Sequence, residues 1–517
     1  MDKILSEQHT PPSNAAHGAK TLAVIGGGLA GIASALAAAD AGWRVTLFEA
    51  KRHLGGRAAS IETPDGLIDN GRHLILDACT ETRRLIRRLG AEALFDRVEK
   101  IPFLDLSGRR PYLWRFGASR FFPGRTRFFP SFAAMPLSWG QKRRLLETLE
   151  RLQHFDGPDL AFGEFLGFDA TSDEVRGRFW DPIILSALCD TPDAVSTAAV
   201  KSVIFSGVFG VNGPALTIPN RPLREIFHTL ALKLLTKEKI TTRLGSPIRR
   251  LIRDQRSSKI AGCETVPGET LRFDRLILAA APFAAERILR NSNMDDFADS
   301  LALTRFLPGA ITAVHLWLAP CLSDQHAALS DQHAEKIAPS PVSPKITGIL
   351  SAQQKRLSRI GLSDEPMVLD GEPGQWFFPG PGLCPGSDFY AQVLISGSHK
   401  VLTPDERRGI YEDGRGGEYD IKQDDKQGGE YGGAYGGLIG RVMDQLRRHF
   451  PQARFSLQKG RVTTVPDAVT IPTPALFGSR PTGATPFENF SLAGDWLETG
   501  WPSTMEGAIR SGAQFGP

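Results

Sequence analysis

The sequence predicts an α/β fold of two lobes that exchange chain segments, and three observations carry that prediction. At 517 residues the chain exceeds what a single hydrophobic core organises. Residues 21–49 read as an apolar strand, a glycine-rich turn, a helix of small residues and a second strand, which together make a right-handed βαβ unit. A further apolar strand, RFDRLILAAA at residues 272–281, ends at Pro282 and returns to the same sheet, whereas residues 311–318 alternate like a strand of an α+β second lobe.

Within the βαβ unit, residues 22–25 form the buried parallel strand, 29–41 the helix and 45–48 the second strand, which Glu49 ends. The run 21–39 has no charge and is long enough to resemble a membrane span. Gly26, Gly27, Gly28 and Gly31 at its strand-to-helix junction, with Ala and Ser after them, instead fit close helix-to-sheet packing. Residues 1–20 carry acidic residues and two prolines, so they read as a loose tail rather than a secretory signal. Between Asp105 and Glu147 no acidic residue occurs, and Arg109, Arg110, Arg115, Arg120, Arg125 and Arg127 are mixed with Phe116, Phe121, Phe122, Phe128, Phe129 and Phe132. Ser138 is placed to cap a helix running through Leu152, with Leu145, Leu146, Leu149 and Leu152 on one face. Residues 323–363, which hold SDQHA twice, and 404–437, dense in Gly, Asp, Glu and Tyr, lack an apolar period and read as loop insertions. A last short helix begins at residues 504–512. The expected division gives residues 21–105, 236–295 and 455–517 to the first lobe, and 106–235 and 296–454 to the second.

Hydrophobic content of 41% and charged content of 23% place the chain among globular proteins. A net charge of +4 over this length gives no reason to expect a nucleic-acid partner. Cys79, Cys189, Cys263, Cys321 and Cys384 are scattered and form no CxxC pair, which indicates neither a disulfide framework nor a zinc site and makes a reducing cytoplasm the default. No other metal constellation stands out.

Gly26-Gly27-Gly28-Leu29-Ala30-Gly31 fits GxGxxG, in which glycines allow the tight turn, the approach of backbone to a pyrophosphate and helix-to-strand packing. Glu49, eighteen positions after Gly31, is placed to accept hydrogen bonds from an adenosine ribose. The turn Gly55-Gly56-Arg57 resembles the continuation found in amine oxidases, protoporphyrinogen oxidases and carotenoid desaturases, with Arg57 set against the pyrophosphate. Leu492-Ala493-Gly494-Asp495-Trp496 resembles the second flavin signature of that superfamily, in which the acid accepts from the ribityl chain. Pro502 to Ala508 then start a helix whose N–H groups, at Met505 and Glu506, are placed toward a flavin carbonyl. Ile248 completes the expected cofactor contacts. The two half-signatures imply a Rossmann-type FAD-binding domain interleaved with a substrate-binding domain. The FAD is noncovalent, because no cysteine follows Cys384 to form the C-terminal link of some amine oxidases.

Further words narrow the resemblance: IDNGRHL at residues 68–74, FWDP at 179–182, VHLW at 314–317, QW at 375–376, and AGDWLETGWPSTMEGAIRSG at 493–512. Across residues 21–512, outside the two insertions, the chain resembles the hydroxysqualene dehydroxylases, or squalene-associated FAD-dependent desaturases, of bacterial hopanoid pathways. That family more often has Gln where this chain has Arg72, and its C-terminal helix runs on further, which implies a shortened ending here. The resemblance implies reductive removal of the hydroxyl of hydroxysqualene to give squalene, with an external electron donor and possible contact with upstream squalene-pathway enzymes. Such a step needs an acid for the leaving hydroxyl and a dry tunnel for a C30 chain. Asp69 and His73 are the candidate acids, since the family's DNG turn runs beside the flavin. The same side chains also suit structural work, with Asp69 capping a turn and His73 satisfied by backbone carbonyls. His315 either lines the cavity or is a satisfied core histidine. A carotenoid-type desaturase is the main alternative. An amine oxidase fits less well, because residues 311–318 lack the lysine and residues 500–507 the aromatic pair of that family, and a non-catalytic flavin-binding membrane adaptor has only the loops in its favour. The Arg/Phe segment 109–132 is expected to touch a membrane surface without spanning it, giving a cytoplasmic protein held peripherally at the membrane.

Overall fold

Five parallel strands form the first sheet, in the order Thr241–Arg243, Arg44–Phe48, Thr21–Ile25, Arg275–Leu278 and Phe490–Leu492. The structure is a computed structural model and describes residues 20–64, 66–98, 100–104, 112–115, 129–167, 173–210, 215–320, 357–363, 366–369, 371, 373–380, 389–407, 419–420 and 433–515. Thr21–Ile25 is nearly all buried because strands pair on both its sides, the helix Leu29–Asp40 packs on one face of the sheet, and the strands Ile248–Arg253 and Ile260–Thr265 pack on the other, which is why it reads as a continuous apolar run. The helix Leu29–Asp40 follows it and is buried along most of its length. Its small residues admit the C-terminal helix Met505–Ala513 at close range: a Cβ on Gly512 would lie 2.3 Å from the Ala30 carbonyl oxygen. The apolar run at 21–39 is therefore a strand and helix at the centre of the first lobe, and among the described residues no helix is long and apolar enough to cross a membrane.

The second sheet has eight strands, in the order Tyr419–Asp420, Phe455–Thr470, Pro308–Pro320, Tyr390–Ser396, Trp376–Pro379, Met367–Leu369, Lys100–Leu104 and Tyr112–Arg115. Two lobe boundaries move as a result. Phe455–Thr470, expected in the first lobe, pairs antiparallel with Pro308–Pro320 along most of its length, and Lys100–Leu104 pairs with Met367–Leu369. Both segments continue the chain near a lobe crossing, and only the pairing partner, remote in sequence, decides the side to which they belong.

The helix Trp139–Gln153 opens with a reciprocal capping box between Ser138 and Gln141. Leu145, Leu149 and Leu152 are buried, but Leu146 is 52% exposed. Spacings of four and three hold the first three on one stripe, and Leu146 falls about 100° away from Leu145. Of the expected insertion 323–363, Leu357, Ile360 and Leu362 are buried in the second lobe, and the helix Gly433–His449 begins inside the expected insertion 404–437. Residues 323–356 and most of 404–437 lie outside the described residues, as does the tail 1–19. In the Arg/Phe segment, Arg109, Arg110, Phe116, Arg120, Phe121, Phe122, Arg125, Arg127 and Phe128 also lie outside them, while Phe132 is buried in the second lobe's core.

Candidate active site

The glycine turn after Thr21–Ile25 contains two kinds of glycine. Gly26 has φ +114°, and a Cβ there would stand 2.3 Å from the Ala279 carbonyl oxygen; a Cβ on Gly31 would stand 1.8 Å from the Gly26 carbonyl oxygen. These positions serve the fold. A Cβ on Gly28 would meet only Gly56 Cα, at 3.8 Å, so the protein leaves its near side open. Gly28 is also the N-cap of Leu29–Asp40 and offers no side-chain cap, which leaves the first helical N–H groups free for an anion.

Glu49 lies at the end of Arg44–Phe48, where its Oε2 accepts from Gly27 N at 2.6 Å and its Oε1 from Lys51 N at 2.7 Å. It thus ties the glycine turn, through Oε2, to the chain that leaves the second strand, through Oε1. Arg57 and Asp495, drawn from the two half-signatures, form an ion pair with each other, and Arg57 Nη1 also donates to the carbonyls of Asp467 and Ala468. Gly494 N donates to Ser511 Oγ at 2.8 Å, which ties the second signature to the last helix. Thr504 caps that helix, and Met505 lines the cavity described below. Glu506 is fully buried: its Oε2 accepts from Thr82 N and Thr82 Oγ1, and its Oε1 from Arg510 Nε and Glu81 N. Glu506 therefore caps the helix Thr80–Arg88, an ordinary use of a carboxylate at a helix N-terminus. Gly55 and Gly56 turn with positive φ beneath Gly28, and Gly55 N donates to Gly27 O at 2.9 Å. Ile248 packs in the core beside Phe48 and Cys263. Gly28, the uncapped helix and the Arg57–Asp495 pair gather on one edge of the parallel sheet, at the carboxyl ends of its strands, where nucleotides bind in such sheets. These residues fit an FAD.

From this edge a cavity of about 350 Å³ runs toward the second lobe. Gly55, Arg57, Asp495 and Met505 line its first end, and Ile101, Phe103, Ile183, Val203 and Trp376 its apolar end. Asn70, Gly71, Arg72 and His73 line it as well. Of the two expected acids, only His73 is among the lining residues. Asp69 lies behind them, where its Oδ1 accepts from Ser60 Oγ at 2.7 Å and Leu223 N at 2.8 Å, and burial raises its pKa. His73 Nδ1 is 2.9 Å from the Gly71 carbonyl oxygen, so Nδ1 carries the hydrogen, and burial holds the imidazole at a pKa of about 4. A neutral imidazole of that tautomer presents Nε2 as an acceptor, which is the wrong polarity for an acid. His315 is a core residue, its Nδ1 2.6 Å from Tyr390 Oη and its Nε2 3.0 Å from Thr463 Oγ1, and burial lowers its pKa to about 3.

Sequence reasoning passed over Arg72 and Asn70 as site residues. The signal was present in IDNGRHL, because a charged residue beside a glycine in a word expected at a flavin is informative whatever its role.

The sequence profile described as flavin containing amine oxidoreductase matches residues 29–346 and 436–514. The chain is 24% identical to the hydroxysqualene dehydroxylase of Rhodopseudomonas palustris over 518 residues, 95% of this chain and 96% of that protein. It is 27% identical to the hydroxysqualene dehydroxylase of Sinorhizobium fredii over 289 residues, 52% of this chain and 64% of that protein. Its fold resembles the crystal structure of an oxidoreductase from Methanosarcina mazei, with a TM-score of 0.62 and 14% identity, covering 96% of this chain and 99% of that one.

Proposed function

The chain belongs to the family of flavin containing amine oxidoreductases and is an FAD-dependent oxidoreductase, and from that premise we propose that it reductively removes the hydroxyl of hydroxysqualene to give squalene. The observation that carries the reading is the cavity itself, which joins the open nucleotide edge to an apolar end of aromatic and branched side chains suited to a polyprenyl chain. The likeness to two hydroxysqualene dehydroxylases supports the same substrate class.

Gly28, the N-terminus of Leu29–Asp40 and Arg57 would receive the pyrophosphate, and Asp495 and the start of Met505–Ala513 would hold the flavin portion. Bound in its reduced form, FAD supplies the hydride. In the overall exchange the C–O bond breaks, a C–H bond forms, and hydroxyl and proton leave as water. The apolar end excludes bulk water, which strengthens every polar contact made inside it. Neutral His73, through Nε2, is an acceptor beside the reacting space and does not supply the proton.

The test is anaerobic. Photoreduced protein mixed with hydroxysqualene is expected to regain oxidised-flavin absorbance in step with squalene, one for one by gas chromatography. Flavin that stays reduced, together with oxidised flavin that bleaches on addition of squalene or phytoene, reverses the direction and makes the protein a desaturase.

A further inference from the structure

Two residues that line the cavity carry a buried donor and a buried acceptor without a hydrogen-bond partner among the described residues. Arg72 lines the cavity, and its Nε and Nη1 are buried without a hydrogen-bond partner among the described residues. Its nearest charged or ionisable neighbours are Asp69, Asp96 and Tyr390, and none of them bonds to those atoms. The other cation of the wall among the described residues, Arg57, is committed to Asp495. Two residues before Arg72, Asn70 also lines the cavity. Its Nδ2 donates to the Arg57 carbonyl at 2.9 Å, which fixes the orientation of the amide, and its buried Oδ1 has no partner.

A buried guanidinium without an acceptor is costly, and so is an orphaned amide oxygen, so the wall discriminates among occupants by what they bring to both. A hydrocarbon brings nothing. A carboxylate meets Arg72 and repels Asn70 Oδ1. A hydroxyl oxygen accepts from the guanidinium while its hydrogen goes to Asn70 Oδ1. We infer that Arg72 and Asn70 form the seat of the substrate's hydroxyl, where Arg72 donates to its oxygen and Asn70 takes its hydrogen, and that this pair makes the cavity select an allylic alcohol over the corresponding hydrocarbon. This rests on the dehydroxylase reading above and assigns its substrate's polar atom a place. Arg72 here is a specificity-determining residue that stays a cation throughout and also polarises the C–O bond by hydrogen bonding.

One other occupant carries an acceptor and a donor side by side, the pyrimidine edge of the flavin, and the experiment separates the two. Binding of hydroxysqualene and of squalene, each in the same detergent micelles, is followed by perturbation of the oxidised flavin spectrum in wild type, Arg72→Gln and Arg72→Met; no turnover occurs because the flavin is oxidised. Wild type is expected to prefer the alcohol by roughly 10- to 100-fold, the size of one hydrogen bond to a charged group. Arg72→Met should bring the two affinities together by weakening the alcohol alone, and Arg72→Gln, which keeps a neutral donor, should fall between. Retained squalene binding shows that the variants are folded. No alcohol preference in wild type, a measurement that needs no variant, overturns the proposal. So does a preference that survives Arg72→Met while the flavin midpoint potential shifts, since the guanidinium would then serve the flavin. If wild type shows the preference yet the reduced protein yields no squalene, the hydroxyl seat stands and the dehydroxylase reading falls.

Discussion

The two ends of the cavity handle buried charge in opposite ways. At the nucleotide edge the charges are spoken for: Glu49 holds the glycine turn, Asp495 holds Arg57, and Glu506 takes four donors from Thr82, Glu81 and Arg510. On the strip from Asn70 to Arg72, by contrast, three buried atoms lack partners. A buried charge with complete hydrogen bonds stiffens its surroundings, whereas one with gaps specifies what must arrive. The edge is thus preformed for a resident cofactor, and the strip is complementary to a transient ligand.

The comparison breaks most severely at Gly31. Any side chain there meets the Gly26 carbonyl at 1.8 Å, so Gly31→Val is expected to cost roughly 3 kcal/mol or more and yield little soluble protein. Gly28→Val, three residues earlier in an open place, should leave the secondary structure and soluble yield intact and abolish flavin binding, as read by the ratio of visible to ultraviolet absorbance. If both variants lose the fold, Gly28 is structural and the placement of the pyrophosphate is wrong.

Glu506→Ala comes next. It leaves buried Thr82 N without an acceptor and Arg510 without a counter-charge, and should lower stability by about 3–5 kcal/mol in denaturant titrations with flavin bound. A loss below about 1 kcal/mol would show that this end is not the stiff one. Glu49→Gln keeps the shape of the clamp but loses its charge. Flavin dissociation measured by reconstitution of apoprotein should weaken by about 1.5–3 kcal/mol, and unaltered affinity would detach Glu49 from the cofactor site.

The last test is a pH dependence. His73 is held at about 4 and His315 at about 3, both below the ordinary value of 6.5. The unfolded chain therefore takes up protons before the folded one as the pH falls, and stability rises with pH in that window. The contribution of each histidine is complete above pH 6.5 and is lost on acidification toward its folded pKa. Wild type should show a lower denaturation midpoint at pH 5 than at pH 7, and His315→Gln should show a smaller difference between the two.

Much of the fold was legible because its signals are local. Residues 21–49 hold strand, turn and helix within one stretch, and Ser138 with Gln141 announces a helix start three residues apart. Phe455–Thr470 was placed in the wrong lobe because its apolar alternation is the same whichever sheet it joins, and the choice rests on pairing with Pro308–Pro320, some 150 residues away. Leu146 is expected on one helix face with Leu145, Leu149 and Leu152, but its angle on the helix sets it outside their stripe and leaves it exposed.

The sequence by itself determined that this chain folds around a dinucleotide-binding βαβ unit, through the glycine spacing and the acid after the second strand, and that the dinucleotide is a flavin, through the resemblance of residues 55–57 and 492–496 to flavin signatures, because each is a condition on a few consecutive backbone positions. It also marked residues 68–74 as a word of consequence. Only the tertiary structure decided which side chains of that word turn toward the cavity. Asp69 is carried behind the wall by Ser60 and Leu223, His73 is fixed as an acceptor by the carbonyl of Gly71, and Arg72 and Asn70, which line the cavity, keep buried atoms without partners among the described residues. Hydrogen-bond satisfaction depends on groups brought together from distant parts of the chain, so no reading of neighbours in sequence can tell a committed polar residue from one held ready for a ligand.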